Sequence, residues 1–252
     1  MKIDMTEAKK VFKEYVKDYN IENPKIRLKV VHIEKVAEIA ERIAEKEGLN
    51  KEDIKLAELI GLLHDIGRFE QIKQYNTFSD RDSINHGEFG VKILFEEGLI
   101  RKFIETDEFD EIIKKAILNH NRKEIEEGLN ERELLHSKMI RDADKADIYR
   151  VLTTDEKKTI YGKESLENEK ITPEVYSDYV NEKYVDYLKV KTPVDLLLCH
   201  FKYVNDFNFK ESKEIVKENK YIEKLYSRFK FNDKETQKQF DNVFKLAMEV
   251  LN

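Results

Sequence analysis

Six histidines, His32, His64, His86, His120, His136 and His200, are the residues of this chain best suited to chemistry, together with a scatter of aspartates. One histidine is followed directly by aspartate, in Leu62-Leu63-His64-Asp65-Ile66-Gly67-Arg68. The pair ends an apolar helical run, where an ionised carboxylate is costly unless a counter-charge or a metal ion holds it. Gly67 then permits a backbone turn that leaves both side chains at the mouth of a pocket. Imidazole and carboxylate donors suit Fe, Mn or Zn, and a set without thiolates argues against a structural zinc finger. Cys199 precedes His200 on an apolar helix, which reads as a structural pair rather than a nucleophile and its base.

The elements that carry these residues are helices. Val11, Phe12, Tyr15, Val16 and Tyr19 recur at intervals of three and four, as one helix face requires. Asn23-Pro24 breaks the chain, and Val30, Ile33, Val36, Ala37, Ala40 and Ile43 mark a second helix that stops at Gly48, a position for a left-handed cap. Asn50 caps a third, which runs through Leu56, Leu59, Ile60 and Leu63 into Gly67. Residues 71–85 are polar and read as a surface loop or a lid over an active site. Helices resume near 87–97, 107–120 and 131–151. Thr172-Pro173 and Thr192-Pro193 each pair a cap with proline in the first turn, and the chain from Lys210 onward is amphipathic. No alternating pattern predicts a strand of any length. The expected class is all-α, with residues 1–152 as a metal-binding core and 153–252 as a helical extension. Residues 155–170 are the most linker-like.

Composition narrows the function. The 252 residues carry 46 Lys and Arg against 52 Asp and Glu, a net charge of −6, which argues against a general nucleic-acid binder. A single cysteine rules out a disulfide framework. No run approaches the length of a membrane span, and the start lacks a signal peptide, so the expectation is a cytoplasmic protein. Only 8 Gly and 3 Pro in so long a chain point to long helices.

His-Asp-Ile-Gly resembles the signature of the HD-domain superfamily of metal-dependent phosphohydrolases, and the resemblance covers about residues 25–150. The family pattern is an upstream His, the His-Asp pair and a distant Asp; dinuclear members insert two more His. The matching positions here are His32, His64, Asp65, His86, His120 and Asp144. By that resemblance, His32, His64 and Asp144 complete one divalent ion with Asp65, and His86 and His120 join Asp65 on a second. Fe, Mn or Zn is implied, with Mg also acceptable. Asp65 then bridges two ions about 3.5–4 Å apart, and a metal-activated hydroxide attacks phosphorus. The same resemblance gives Arg68, directly after the motif, a phosphate contact, for which a guanidinium fork is suited. Asp65 and Arg68 are therefore the expected catalytic residues.

Several residues have competing readings. Asp142, Asp144 and Asp147 compete for the last ligand position; Asp144 and Asp147 share a helix face and Asp142 points elsewhere. His136, two turns before Asp144, is expected in solvent, with a contact behind the ligands as the alternative. Arg68 has a surface ion pair with Glu70 or a nearby acid as its alternative. Arg81, Arg122 and Lys145 are weaker phosphate candidates, Glu88 could orient a water or lie on a solvated helix face, and Asn119 or Asn121 could hydrogen-bond His120 or the substrate. Tyr176, Tyr179, Tyr184 and Tyr187 read as core and rim aromatics.

The expected function is hydrolysis of a phosphate ester of a nucleotide or another small phosphorylated metabolite. The chain lacks the Gly-Tyr-Pro motif of the cyclic-dinucleotide branch, which argues against cyclic-di-GMP. A mixed-valent di-iron oxygenase uses the same ligand set and is the alternative enzyme class. A nucleotide-binding sensor without turnover is the alternative outside catalysis. The C-terminal amphipathic helices leave a homodimer open.

Overall fold

The computed structural model describes residues 2–252, and among them there are helices, turns and no strand. They form two compact units that divide between Asp147 and Ile148. The division falls inside one long helix, a little before the boundary expected from sequence at residue 152.

The first unit holds α1 (Met5–Val16), α2 (Pro24–Lys46), α3 (Lys51–Leu63), α4 (Gly67–Tyr75), α5 (His86–Val91), α6 (Ile100–Phe103), α7 (Asp110–His120) and most of α8 (Glu131–Thr154). Asn23-Pro24 starts α2 rather than merely interrupting the chain: Asn23 Oδ1 accepts from the Lys25 amide, and Pro24 occupies the first turn. Gly48 ends the α2 segment at φ +70°, where a side chain would be strained. Asn50 Oδ1 then accepts from the Glu52 and Asp53 amides and opens α3, a cap worth about 1 kcal/mol.

The α2–α3 contact is unusually close. A Cβ on Gly61 would lie 2.6 Å from Ala37 Cα, so the two backbones nearly touch at this point. His32 lies a little over a turn before Ala37 and His64 nearly a turn after Gly61. The close crossing thus brings the two rings into edge-to-face contact, with centroids 5.4 Å apart. Ile33, Val36, Leu56, Leu59 and Leu63 are buried around it.

Beyond α3 the structure departs from the sequence expectation. Gly67 makes no special turn; it begins α4, and a Cβ there would lie 2.4 Å from the His86 carbonyl oxygen and 2.6 Å from the Gly90 amide. Close packing of α4 on α5, not backbone freedom, demands the glycine. Helix α4 also extends to Tyr75, because Gln71 and Ile72 are buried. The loop is therefore shorter than expected. It begins at Asn76, which ends α4 in the left-handed region, and holds a 3-10 turn at Asp80–Asp82. Helix α5 passes into a π-helical turn at Lys92–Glu96.

The second unit holds the end of α8 and α9 (Lys157–Tyr161), α10 (Pro173–Asn181), α11 (Pro193–Lys202), α12 (Lys210–Glu218), α13 (Tyr221–Ser227) and α14 (Lys234–Leu251). Its core gathers Tyr149, Val175, Leu197, Leu198, Phe201, Phe240 and Val243. Thr192 and Asp195 form a reciprocal cap on α11, and Asp195 also accepts from the Thr172 amide and hydroxyl. One carboxylate thus fixes the starts of α10 and α11. Tyr179 is buried with its hydroxyl donating to the Val243 carbonyl, a core role. No described helix is long and apolar enough to cross a membrane.

Candidate metal centre

Five helices of the first unit converge on one point. His32 lies mid-helix in α2, and His64 caps the C-terminus of α3 with Asp65 just after it. His86 opens α5 behind an Asn85 cap, His120 ends α7, and Asp144 lies on α8. Arg141 secures the end of α7 by donating to the carbonyls of Asn119 and Arg122, which holds His120 in place. His32, His64, Asp65, His86 and His120 are all buried, and Asp144 is partly buried.

The two oxygens of Asp65 divide the cluster. Its Oδ2 faces His32 Nε2 at 3.7 Å and His64 Nε2 at 3.6 Å. Asp144 Oδ1 completes that side, 3.1 Å from His32 Nε2 and 3.7 Å from His64 Nε2. The Oδ1 of Asp65 faces His86 Nε2 at 3.3 Å and His120 Nε2 at 3.7 Å. Among the described residues, two groups have donor atoms close enough to share an ion: His32, His64 and Asp144, and His64, Asp65 and His120.

All four rings are oriented from behind. His32 Nδ1 donates to Asp147 Oδ2 at 2.7 Å and His64 Nδ1 to the Gly61 carbonyl at 2.7 Å. His86 Nδ1 donates to Asp80 Oδ2 at 2.6 Å and His120 Nδ1 to the Ile117 carbonyl at 2.6 Å. A proton held at each Nδ1 leaves every Nε2 as a lone pair pointing inward, which is how metal-binding histidines are prepared. His32 Nε2, His64 Nε2 and Asp65 Oδ1 are buried without a hydrogen-bond partner. Such orphaned acceptors are costly unless a cation satisfies them, so these residues fit a divalent metal.

The charges agree. Burial opposes ionisation of Asp65, but Lys29 and the surrounding imidazoles overrule it and hold the carboxyl well below the usual range. Burial likewise opposes charge on Asp144, and His32 and His64 lower its pKa all the same. Burial, with Arg68 nearby, pushes His86 down to about 3, so its ring is neutral. Burial also lowers His64. His32 goes the other way: burial and Lys29 oppose its charge, but Asp144 and Asp147 raise its pKa. Positive charge is favoured where His32 meets Asp144.

Arg68 does not reach Glu70; the nearby acid it pairs with is Asp80, and the pair is largely buried on the arginine side. Its Nη1 donates to Gln71 Oε1, the Phe78 carbonyl and Asp80 Oδ1, at 2.7, 2.7 and 2.9 Å. Its Nε is buried, has no hydrogen-bond partner and lies 3.5 Å from Asp65 Oδ1. The Nε edge therefore faces the cluster, and Nη1 is anchored behind it.

Other expectations fare differently. Asp147 stands behind His32, and Asp142 is buried but joins neither metal-competent group. His136 is buried, not in solvent, because Asp53 of α3 reaches its Nε2 at 3.0 Å. Asn119 serves the backbone, donating to the Lys115 carbonyl and accepting from the Glu126 amide. Asn121 instead donates to Asp80 Oδ2 and Asn85 Oδ1 beside His86. Arg81 and Glu88 are exposed, Arg122 pairs with Glu126, and Lys145 is buried. In the second unit, burial raises Cys199 to about 12 and lowers His200 to about 3, so neither is activated.

Two residues at the site carry no chemical motif in the sequence. Lys29, one turn before His32, places its ammonium 2.6 Å from Asp65 Oδ2; its position in the helix repeat was the signal. Asp80 lies in an Asp-Arg-Asp triplet that gave none. No curated protein and no solved structure matches the chain, but the HD domain model matches residues 30–152. Those residues span every side chain of the cluster except Lys29, and they form an HD domain, the helical domain of a superfamily of the metal-dependent phosphohydrolase type.

Proposed function

We propose that the protein is a phosphohydrolase that uses two divalent ions to cleave a phosphate ester of a nucleotide or another small phosphorylated metabolite. One observation carries the reading: the oxygens of Asp65 face two different groups of inward-pointing Nε2 atoms. A carboxylate shared in this way suits a pair of divalent ions, one on each side of it. Bound there, the ions supply Lewis acidity, lowering the pKa of a water and offsetting charge on the phosphoryl group.

The chain's own residues supply the rest. His32, His64 and Asp144 hold one side of Asp65, and His86 and His120 the other. Arg68 offers its Nε–Nη2 edge to phosphate oxygens while Asp80 and Phe78 anchor Nη1. Lys29 adds a second cation at the same place; Lys29 and Arg68 both lie against the Phe78 ring, at 5.3 and 5.7 Å. An anionic substrate would meet both.

The test is to incubate wild type and Asp65→Ala with Mn²⁺ and a panel of nucleotides, cyclic nucleotides and sugar phosphates, reading products by chromatography and mass spectrometry. Cleavage by wild type alone is expected, and the products show whether monoesters or diesters are cut. Equal cleavage by the variant, or none by a wild type holding two ions, overturns the reading.

A further inference from the structure

Asp80 lies on the loop between α4 and α5, outside the six positions of the family pattern, and its two oxygens serve different parts of the site. Oδ1 accepts from Arg68 Nη1 and from Gln71 Nε2, both at 2.9 Å. Oδ2 accepts from His86 Nδ1 at 2.6 Å and from Asn121 Nδ2 at 3.2 Å. The loop is fastened so that Asp80 stays there: Gln71 Nε2 also donates to Ser83 Oγ at 2.9 Å and to the Ile84 carbonyl at 3.0 Å, and Arg68 holds the Phe78 carbonyl.

We propose that Asp80 is a positioning residue that couples phosphate binding to metal binding: one oxygen aims the free edge of Arg68, and the other fixes the tautomer of His86 so that its Nε2 faces a cation. The proposal rests on the reading of Arg68 as a phosphate contact. Two demands meet in one side chain. The Arg68 guanidinium must be held by one nitrogen and keep hydrogen-bonding capacity along its Nε edge, and its buried Nε, 3.5 Å from Asp65 Oδ1, has no hydrogen-bond partner. His86 must keep its proton on Nδ1, and a carboxylate enforces this because it can only accept.

That asymmetry gives a selective test. Asp80→Asn can still present an oxygen to Arg68 and Gln71, but its amide N–H then faces His86 Nδ1. Donor against donor forces the ring to the other tautomer, with Nε2–H pointing into the metal position. Asp80→Ala removes both contacts. Mn²⁺ titrations followed by calorimetry should show one ion unchanged in both variants and the other bound ~10–100-fold less well, the usual effect of losing a partner behind a metal-binding histidine. At saturating Mn²⁺, inorganic phosphate should bind Asp80→Asn nearly as well as wild type and Asp80→Ala ~10-fold more weakly, the scale of one charge-assisted hydrogen bond.

Wild-type affinity for both ions in both variants overturns the proposal, as does wild-type phosphate affinity in Asp80→Ala. A wild type that binds only one Mn²⁺ overturns it too, since no second position would exist for Asp80 to serve. Equal loss of both ions with a lower melting temperature would overturn it by showing that Asp80 merely supports the fold. None of these titrations involves turnover. If no ester is hydrolysed, the proposed function fails while the role of Asp80 is decided separately.

Discussion

The Nε2 atoms of His86 and His120 face each other at 2.9 Å, and each ring has its other nitrogen committed to an oxygen. With a proton on each Nδ1, the two rings oppose lone pair to lone pair, a contact that repels unless positive charge enters between them. His120→Ala should therefore remove one bound metal ion and leave the other, whereas Asp65→Ala should remove both. Elemental analysis of purified protein reads the difference. Hydrolysis should fall by at least ~10²-fold in either variant, the scale of losing one preorganised charge-stabilising group.

Asp147 holds His32 from behind as Asp80 holds His86. Asp147→Asn should weaken the ion on the His32 side by ~10–100-fold with little change on the other side. Competition with a fluorescent chelator measures both sites. Equal weakening of the two would show that Asp147 does not act through His32.

Arg68→Lys keeps a positive charge but loses the open fork. The expected result is a higher KM, by ~10-fold for one lost charge-assisted hydrogen bond, with metal content unchanged. Steady-state kinetics on the substrate found in the panel, beside elemental analysis, would check it.

Gly67→Ala places a methyl group within contact distance of the His86 carbonyl and the Gly90 amide, both backbone. Neither neighbour can swing aside, so α4 and α5 must separate. A destabilisation of about 1–3 kcal/mol is expected, and with it loss of the ion that His86 binds. Thermal melts in the presence and absence of Mn²⁺ would show whether the metal contribution is lost along with the packing.

His200 gives the second unit a pH dependence. Its Nδ1 accepts from the Tyr161 hydroxyl at 3.1 Å, and burial holds its pKa near 3. The unfolded chain takes up a proton near pH 6.5 and the folded one does not, so stability falls as pH drops from about 6.5 toward 3, by up to ~1.4 kcal/mol per unit from this group. Denaturant melts across that range should show the slope, and His200→Gln should flatten it.

The all-helical class is legible in the sequence because two features agree: glycine and proline are scarce, and apolar residues recur at three and four in every long segment. The cluster is legible because its members carry distinctive side chains in a fixed order, and the structure brings His32, His64, Asp65, His86, His120 and Asp144 together. Sequence does not reveal which groups stand behind them. Asp80 resembles its neighbour Asp82 until the loop folds back on Arg68. Asn119 and Asn121 flank His120 alike, yet the end of α7 turns one to the backbone and the other to the site. His136 reads as a solvent-facing residue because nothing local predicts Asp53 from another helix. Gly67 reads as a turn because a clash with α5 is invisible before α5 is placed.

His32 and Asp144 come from near the two ends of the HD domain, and their side chains meet at 3.1 Å. A cation seated there is a crosslink that closes nearly the whole domain into a loop, and the entropy such closure removes from the unfolded chain grows with the length enclosed. The centre that prepares the chemistry would then also set how slowly the domain opens, with amide hydrogens of α2, α3 and α8 exchanging together once a chelator has taken the metal.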